Sequence, residues 1–391
     1  MREKILLKDF NVLLICTSTK WSTVERRAIN DSIFLRDAGC NPTLVCLAGS
    51  QLDKEAEKED IERLYFSKSK INKLLNYNLF FELKKIVNDH KFDIIHTYSL
   101  DSTWLVSLLM KKNLKIPLFF TCNENIKSFY NHYFAKWLLK RVDHIFTLSE
   151  EVKFFIEETF SISQKKVKNL GSGIEVTRNK VLKTDEVRIG CIINNLTELN
   201  RLKFIVKVFR VLKTHSKKEL GNLKLHIFLG PRIYQKDRTK RILTEIDNEF
   251  YEGDIFLYSL DTKYSELKKL NLFVSLAFDE PLNDFEVISL LNEIPVLFPR
   301  TAMRQNLISK YRWIGESYFQ GDIREAKTKI EKILSNYSIY VNALKEYHTD
   351  LSDIHGLDVY AELFKENYTN NYAKRLRFIS KKTNQKIDIN H

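Results

Sequence analysis

Side chains with acid–base or hydrogen-bonding chemistry stand at the ends of two apolar, strand-like runs. His96 ends the run FDIIH, and Asn123 and Glu124 follow the run PLFFTC. Imidazole transfers protons near neutral pH, glutamate acts as an acid or a hydrogen-bond acceptor, and asparagine forms hydrogen bonds without titrating. Because open α/β sheets bind ligands at the carboxyl ends of their strands, these residues are candidates for one site. The alternative for His96 is a strand-end residue whose ring nitrogens are satisfied within the fold.

A loop near the amino terminus adds a cation and a large ring. Lys20 and Trp21 lie in the loop at residues 17–23, between a strand-like run and a helical one. The ammonium group suits a phosphate, and the indole suits the face of a sugar. For Trp21, a contact between domains is the alternative.

Net charge favours anionic partners. The 391 residues include 63 Lys+Arg and 50 Asp+Glu, a formal net charge of +13. Sugar nucleotides, phospholipid headgroups and nucleic acids all fit this charge. The sequence shows neither zinc-knuckle spacing nor an aromatic RNA-binding motif, so we do not expect a nucleic-acid partner.

Cysteine usage and the apolar runs indicate a soluble, cytoplasmic protein. The five cysteines are an odd number without a CxxC pair and stand in mostly apolar surroundings, which predicts reduced, buried thiols. The amino terminus lacks the pattern of a secretion signal. Apolar runs such as NVLLIC are far shorter than the roughly 18 residues of a membrane-spanning helix.

Strand-length apolar runs alternate with amphipathic stretches, the pattern of parallel α/β sheets. The first helix, VERRAINDSIFLRDAG, is predicted to pack through Val24, Ala28, Ile29, Ile33 and Phe34. Beyond Gly321 the pattern is helical. The predicted organisation is a first domain at 1–172, a linker at 173–186, a second domain at 187–350, a helix at 351–380 that packs back on the first domain, and a basic tail at 381–391.

Several segments, in their order and spacing, resemble glycosyltransferase family 4. They are IIHTYS (94–99), DHIFTLSEEVKFFI (143–156), the turn GSGIE (171–175) and the acidic stretch from Leu270 to Phe298. The resemblance implies the GT-B fold, two doubly wound Rossmann-like domains facing a central cleft, with a C-terminal helix crossing back. STVERR (22–27) stands where the family has a Gly-Gly-x-Glu-like sequence, which places Glu25, with Lys20 and Trp21, on the acceptor side.

The resemblance also implies where a donor diphosphate binds. The family's Arg and Lys, five residues apart, align with Asn195 and Asn200. Arg201 and Lys203 are close enough to supply the charge from shifted positions, although helix-start cations are often only solvated. Gly230, at a strand end, belongs to the same implied donor site.

Carboxylates that would hold the sugar and the ribose are only partly retained. Glu280 matches the first glutamate of the family's Glu-x7-Glu pair, and the second falls on Ile288. Glu286 is the candidate substitute, whereas a solvated acidic turn is the alternative for Glu280. The family's catalytic histidine is replaced by Asn123, so Asn123, Glu124 and His96 are the catalytic candidates.

These expectations describe a retaining hexosyltransferase that uses a nucleotide-diphosphate sugar, no metal and no further cofactor. The implied acceptor is an envelope polysaccharide or a lipid-linked glycan. The four replaced family positions, Asn123, Asn195, Asn200 and Ile288, motivate the alternative of an inactive GT-B protein that binds glycan or partners an active transferase. A sugar-nucleotide epimerase of the same fold is a third hypothesis.

Aromatic and basic residues are interleaved at 127–141 and at 63–85. Helices of this composition suit peripheral contact with the inner face of a membrane. Packing of the same aromatics in the core is the alternative.

Overall fold

The computed structural model describes residues 10–18, 23–66, 77–109, 116–122, 132–148, 150–171, 173–174, 186–193, 196–215, 222–230, 253–259, 264–278, 282–356 and 359–369. The chain divides into two compact units. The first comprises Met1–Gly171 with Asp358–His391, and the second comprises Ser172–Leu357. Each unit contains a parallel sheet with helices, which confirms the fold type predicted from the alternating pattern.

The sheet of the first unit has seven parallel strands in the order β3-β2-β1-β4-β5-β6-β7. The strands are β1 (Asn11–Ile15), β2 (Asn41–Leu47), β3 (Glu62–Phe66), β4 (Ile94–Thr97), β5 (Leu118–Cys122), β6 (His144–Thr147) and β7 (Val167–Asn169). Successive side chains of a strand point to opposite faces of a sheet. One face of this sheet therefore carries His96 and Phe119, which are paired across β4 and β5.

Seven described helices belong to the first unit. They are α1 (Thr23–Asp37), α2 (Gln51–Lys58), α3 (Tyr77–Asp89), α4 (Leu100–Leu109), α5 (His132–Leu139), α6 (Glu150–Phe160) and a C-terminal helix at residues 359–369. Side chains of α3 to α6 join those of the strands in one apolar core. The C-terminal helix packs against α1, where Phe364 meets Phe34 edge-on at 5.8 Å.

Two expectations for the first unit differ from the structure. Segment 63–85 was expected to be helical, but its start lies in β3, where Tyr65 pairs with Cys46 of β2. Only α3 in the later part of the segment is a described helix. The buried face of α1 also includes Arg27 and Asp31, because the C-terminal helix covers these polar residues.

The sheet of the second unit has six parallel strands in the order β10-β9-β8-β11-β12-β13. They are β8 (Glu186–Ile193), β9 (Asn222–Leu229), β10 (Ile255–Ser259), β11 (Leu272–Val274), β12 (Val296–Pro299) and β13 (Gly315–Tyr318). No element was predicted at β13, which is short and begins with glycine. Gly315 fits because a Cβ there would stand 2.0 Å from the carbonyl oxygen of Val296.

Seven described helices cover this sheet. They are α7 (Leu196–His215), α8 (Tyr264–Leu267), α9 (Asp284–Leu291), α10 (Ala302–Lys310), α11 (Ile323–Ser335), α12 (Tyr337–Glu346) and α13 (His348–His355). Apolar clusters lie on both faces of the sheet. The predicted helix at 351–380 is divided, since α13 ends at His355 in the second unit and the described helical residues 359–369 belong to the first.

All five cysteines are buried and none is in a disulfide, as the sequence predicted. Among the described helices, we find none with the length and apolar character needed to cross a membrane.

Candidate functional site

The sheet of the second unit has a topological switch point between β8 and β11. These strands are neighbours, but the chain leaves β8 toward β9 on one side and leaves β11 toward β12 on the other. Connections that diverge in this way open a crevice at the carboxyl ends of the two strands, where α/β sheets bind ligands. The residues that follow β8 and β11 therefore define the candidate site.

Arg201 connects the two sides of this switch point. It lies on α7, the helix that follows β8, and its guanidinium donates a hydrogen bond to the carbonyl oxygen of Leu276, beyond the end of β11. The same guanidinium lies 5.0 Å from the ring centroid of Phe278. Arg201 is half-buried, so these contacts orient the cation while leaving part of it in solvent. Lys203, two residues further along α7, is exposed.

The loop after β11 packs against an aromatic cluster. The hydroxyl of Tyr318 donates to the carbonyl oxygen of Ser275 at 2.9 Å, and its ring meets Phe278 edge-on at 5.6 Å and stacks on Phe204 at 5.5 Å. Burial raises the pKa of Tyr318 far above its ordinary value, so the hydroxyl remains a donor at physiological pH. The buried Tyr318 therefore fixes the position of the loop that contacts Arg201.

Gly230 lies beside the same crevice. It follows β9, is buried, and its amide donates to the carbonyl oxygen of Ile193, the last residue of β8, at 2.9 Å. Gly230 therefore lies at the carboxyl end of β8, and its role in a donor site stays a prediction.

Helix α9 begins at the same edge of the sheet. Asn283 caps it, accepting a hydrogen bond from the amide of Glu286 at 2.9 Å, while the Glu286 carboxylate accepts from the amide of Asn283 at 2.9 Å. Amide groups at a helix start carry partial positive charge and favour anions. Helix α9 therefore directs partial positive charge to the carboxyl edge of this sheet, although Asp284 and Glu286 place carboxylates in the same turn.

Glu286, predicted to bind the donor, has a different set of partners in the structure. Its side chain is fully buried, and Oε1 and Oε2 accept from Nε and Nη2 of Arg304 at 2.8 and 3.1 Å. With the Asn283 amide as a third donor, the carboxylate is occupied inside the unit and does not face a ligand. Sequence reasoning missed Arg304, whose only signal was its place in the first turn of a capped helix.

Ile288 stands where the resemblance calls for the second glutamate. Its side chain is 7% exposed and belongs to the apolar cluster between α9 and the sheet. Ile288 is therefore a core residue. It provides no carboxylate that could bind the ribose of a donor.

Several predicted site residues lie outside the described part of the chain. These are Lys20, Trp21, Asn123, Glu124, Asn195 and Glu280, together with the side chain of Asn200. Their proposed roles stay predictions. Among the described residues, no group of three or more His, Cys, Asp or Glu side chains is arranged to hold a metal ion.

His96 is fully buried in the first unit. Its Nδ1 shares a hydrogen bond with the hydroxyl of Tyr368 at 2.6 Å, and its Nε2 shares one with Thr121 at 2.7 Å. Burial, with a further contribution from the charge of Arg27, holds the pKa of His96 well below its ordinary value. A neutral ring with both nitrogens occupied is what the satisfied strand-end alternative describes, and it leaves no open nitrogen for a substrate.

A second buried network lies beside His96. Asp31 accepts hydrogen bonds from the hydroxyls of Tyr98, at 2.6 Å, and Tyr360, and it pairs with Arg27 at 3.1 Å. The Arg27 guanidinium also lies 3.6 Å from the ring centroid of Tyr360. Glu25, predicted to contact an acceptor, is 1% exposed on the same helix. These polar groups hold the C-terminal helix on the first unit.

Comparison with known proteins gives a family match over part of the chain and a fold for the whole of it. Residues 24–178 match the family model described as Glycosyltransferase Family 4, and no sequence relative was found among curated proteins. A glycosyltransferase from Rickettsia africae ESF-5 is 16% identical over 93% of this chain and 98% of its own, with a TM-score of 0.72. HepE from Anabaena, in complex with UDP and glucose, is 12% identical over 92% of this chain and 100% of its own, with a TM-score of 0.71.

Sucrose-phosphate synthase from Thermosynechococcus elongatus is 12% identical over 93% of this chain and 100% of its own, with a TM-score of 0.66. At such identities the likeness shows the fold. It confirms the GT-B fold of two parallel-sheet α/β domains. The family model confirms the resemblance to glycosyltransferase family 4 over residues 24–178.

Proposed function

We propose that this chain, a GT-B protein whose residues 24–178 match the Glycosyltransferase Family 4 model, transfers a hexose from a nucleotide-diphosphate donor to a glycan or lipid-linked acceptor. One observation carries the proposal. At the switch point of the second unit, Arg201 is oriented by Leu276 and Phe278, in the loop that follows β11. The UDP and glucose bound to HepE support a nucleotide sugar as the donor class.

This arrangement suits departure of a nucleotide diphosphate. Negative charge accumulates on the diphosphate as the sugar leaves, and an oriented cation with helix-start amides stabilises that charge more strongly than it stabilises the bound donor. Arg201 supplies the cation in place of the family residues that Asn195 and Asn200 replace. Glu280 is proposed to hold sugar hydroxyls. The proposed transfer retains the configuration of the anomeric carbon and requires no metal ion.

The proposed acceptor is an envelope polysaccharide or a lipid-linked glycan, reached from the inner face of the membrane. Aromatic and basic side chains of α4 and α5 support this part of the proposal. Trp137 is 40% exposed, meets Trp104 at 5.5 Å, and lies under the guanidinium of Arg141, whose Cζ is 4.4 Å from its ring centroid. Exposed indole edged by cations suits the headgroup region of a bilayer.

Donor binding tests the proposal. Titration calorimetry of the full chain against a panel of nucleoside diphosphates and their sugars should identify one donor that binds. Arg201→Ala should weaken its binding at least about tenfold, because a charge-assisted hydrogen bond contributes roughly 1.5–3 kcal/mol. Arg210→Ala, an exposed arginine of the same helix, should bind like the parent. Absence of binding to every donor would refute the proposal.

A catalytically inactive, glycan-binding or partner-binding protein is the second candidate. The burial of Ile288 in the core and the internal pairing of Glu286 favour it, because the site then has fewer carboxylates than a family member needs. Donor binding without transfer or hydrolysis, across a set of glycan acceptors, would support this candidate. Release of an epimerised donor in the absence of acceptor would instead identify a sugar-nucleotide epimerase.

A further inference from the structure

The second unit contains a fully buried ion pair that the proposed chemistry does not use directly. Arg304 and Glu286 are both 0% exposed, and the two side chains meet in fork geometry with N–O distances of 2.8 and 3.1 Å. We infer that Arg304 and Glu286 form a positioning pair that sets the geometry of the proposed donor site. This inference rests on the proposed function.

Stability alone does not account for the pair. Removing two charges from water is costly, and well-packed apolar residues of similar volume often stabilise a fold equally well or better. Most other residues of α9, Phe285, Val287 and Leu290 among them, belong to one apolar cluster. An apolar pair would therefore fit the composition of this core, which points to a geometric role for the charges.

The geometry joins two helix starts at the carboxyl edge of the sheet. Glu286 belongs to the capping box of α9, which follows β11, and Arg304 lies in the first turn of α10, which follows β12. Thr301 caps α10, and both the amide and Nη1 of Arg304 lie 3.4 Å from its hydroxyl oxygen. The fork therefore fixes the start of α9 relative to the start of α10.

The fixed element is one boundary of the proposed donor site. The loop that holds Arg201 through Leu276 leads from β11 into α9, whose cap is Asn283. A shift of α9 changes where its first amides stand relative to the Arg201 guanidinium. Because such a shift weakens charge-assisted hydrogen bonds to a bound diphosphate, it should be measurable in donor affinity.

The main test replaces both charges together. The double variant Glu286→Met/Arg304→Met leaves no unpaired buried charge, so we expect it to fold. Its dissociation constant for the donor found with the parent, or for UDP, should rise at least about tenfold, the effect of losing about one charge-assisted hydrogen bond. Arg304→Lys keeps the charge but loses the fork, and should fall between parent and double variant. The control Ile330→Ala weakens the core of the same unit on α11 and should leave the dissociation constant unchanged.

A second readout does not depend on a donor. Hydrogen exchange of amides in peptides that span residues 275–283 should be faster in the double variant, while those of α11 should exchange as in the parent. If the parent binds no nucleotide, the proposed function fails, and exchange still decides whether the pair positions this loop. Parent-like donor affinity, or parent-like exchange where no donor binds, would overturn the inference.

Discussion

Asp31 lies in the interior of the first unit, where three side chains surround its carboxylate. Arg27 is the charged partner, and the hydroxyls of Tyr98 and Tyr360 donate hydrogen bonds. Burial raises the pKa of Asp31, although Arg27 and the two hydroxyls lower it. The carboxylate is therefore a costly group whose partners offset much of its desolvation, and loss of one member leaves the others unmatched.

We predict that Asp31→Ala strongly destabilises the first unit. Breaking a buried ion pair by removing one partner typically costs about 3–5 kcal/mol, because the remaining charge stays buried. Denaturant unfolding followed by circular dichroism measures the effect. Asp37→Ala on the same helix is the matched control, because that side chain is 65% exposed and its pairing with Arg36 is worth less than about 1 kcal/mol. Equal effects of the two substitutions would contradict the prediction.

Among the elements, the C-terminal helix contributes buried aromatic side chains to the core of the first unit. Phe364 is fully buried and its ring contacts Phe34 of α1 at 5.8 Å and Phe146 of β6 at 5.7 Å. Tyr368 stacks on Phe119 of β5 at 4.5 Å. A segment from the end of the chain thus completes a sheet face built from residues near its beginning.

Truncation of Phe364 should unfold or greatly weaken the first unit. A buried Phe→Ala substitution typically costs about 3–5 kcal/mol, from lost transfer free energy and from the cavity. Glu366→Ala, an exposed position of the same helix, should change the unfolding free energy by less than about 0.5 kcal/mol. Urea titration with tryptophan fluorescence compares the two. A parent-like midpoint for Phe364→Ala would show that the helix does not contribute to the core.

At the scale of the whole molecule, buried histidines in both units make stability depend on pH. Burial lowers the pKa of His226 and of His355 to about 4, with Arg188 and Lys310 as the next causes, and holds that of His96 well below its ordinary value. The unfolded chain binds protons at these sites from about pH 6.5 downward while the folded chain does not. Stability is therefore present above pH 6.5 and is lost as the pH falls toward 4.

We expect the free energy of unfolding to fall by about 2 kcal/mol for each of His226 and His355 between pH 7 and pH 5, because the unfolded chain protonates these rings and the folded chain does not. Asp31 acts in the opposite direction, because its raised pKa lets the folded state take up a proton first. Unfolding free energies at pH 7, 6 and 5 measure the sum. His226→Gln and His355→Asn should each flatten the slope, and variants with the parent's slope would show that these rings do not control it.

The sequence by itself determined the architecture. Apolar periodicity is local, so the run Ile255–Ser259 indicated a strand, and the stretch from about Leu199 to Lys213 a helix, without knowledge of their partners. The structure has the strand at Ile255–Ser259 and the helix at Leu196–His215. The order of these elements predicted two parallel sheets. The donor-site roles of Arg201 and Gly230 stay predictions.

Only the tertiary structure decided which polar residues are enclosed. His96 meets Tyr368 across 272 positions of sequence, and Asp31 meets Tyr360 across 329. The sequence predicted that the Glu286 carboxylate binds the donor, but in the structure it accepts a hydrogen bond from Arg304, 18 positions later. A local sequence pattern shows that a side chain is polar but not which distant group forms its hydrogen bonds. Whether a charged side chain is buried therefore depends on how elements far apart in sequence pack together.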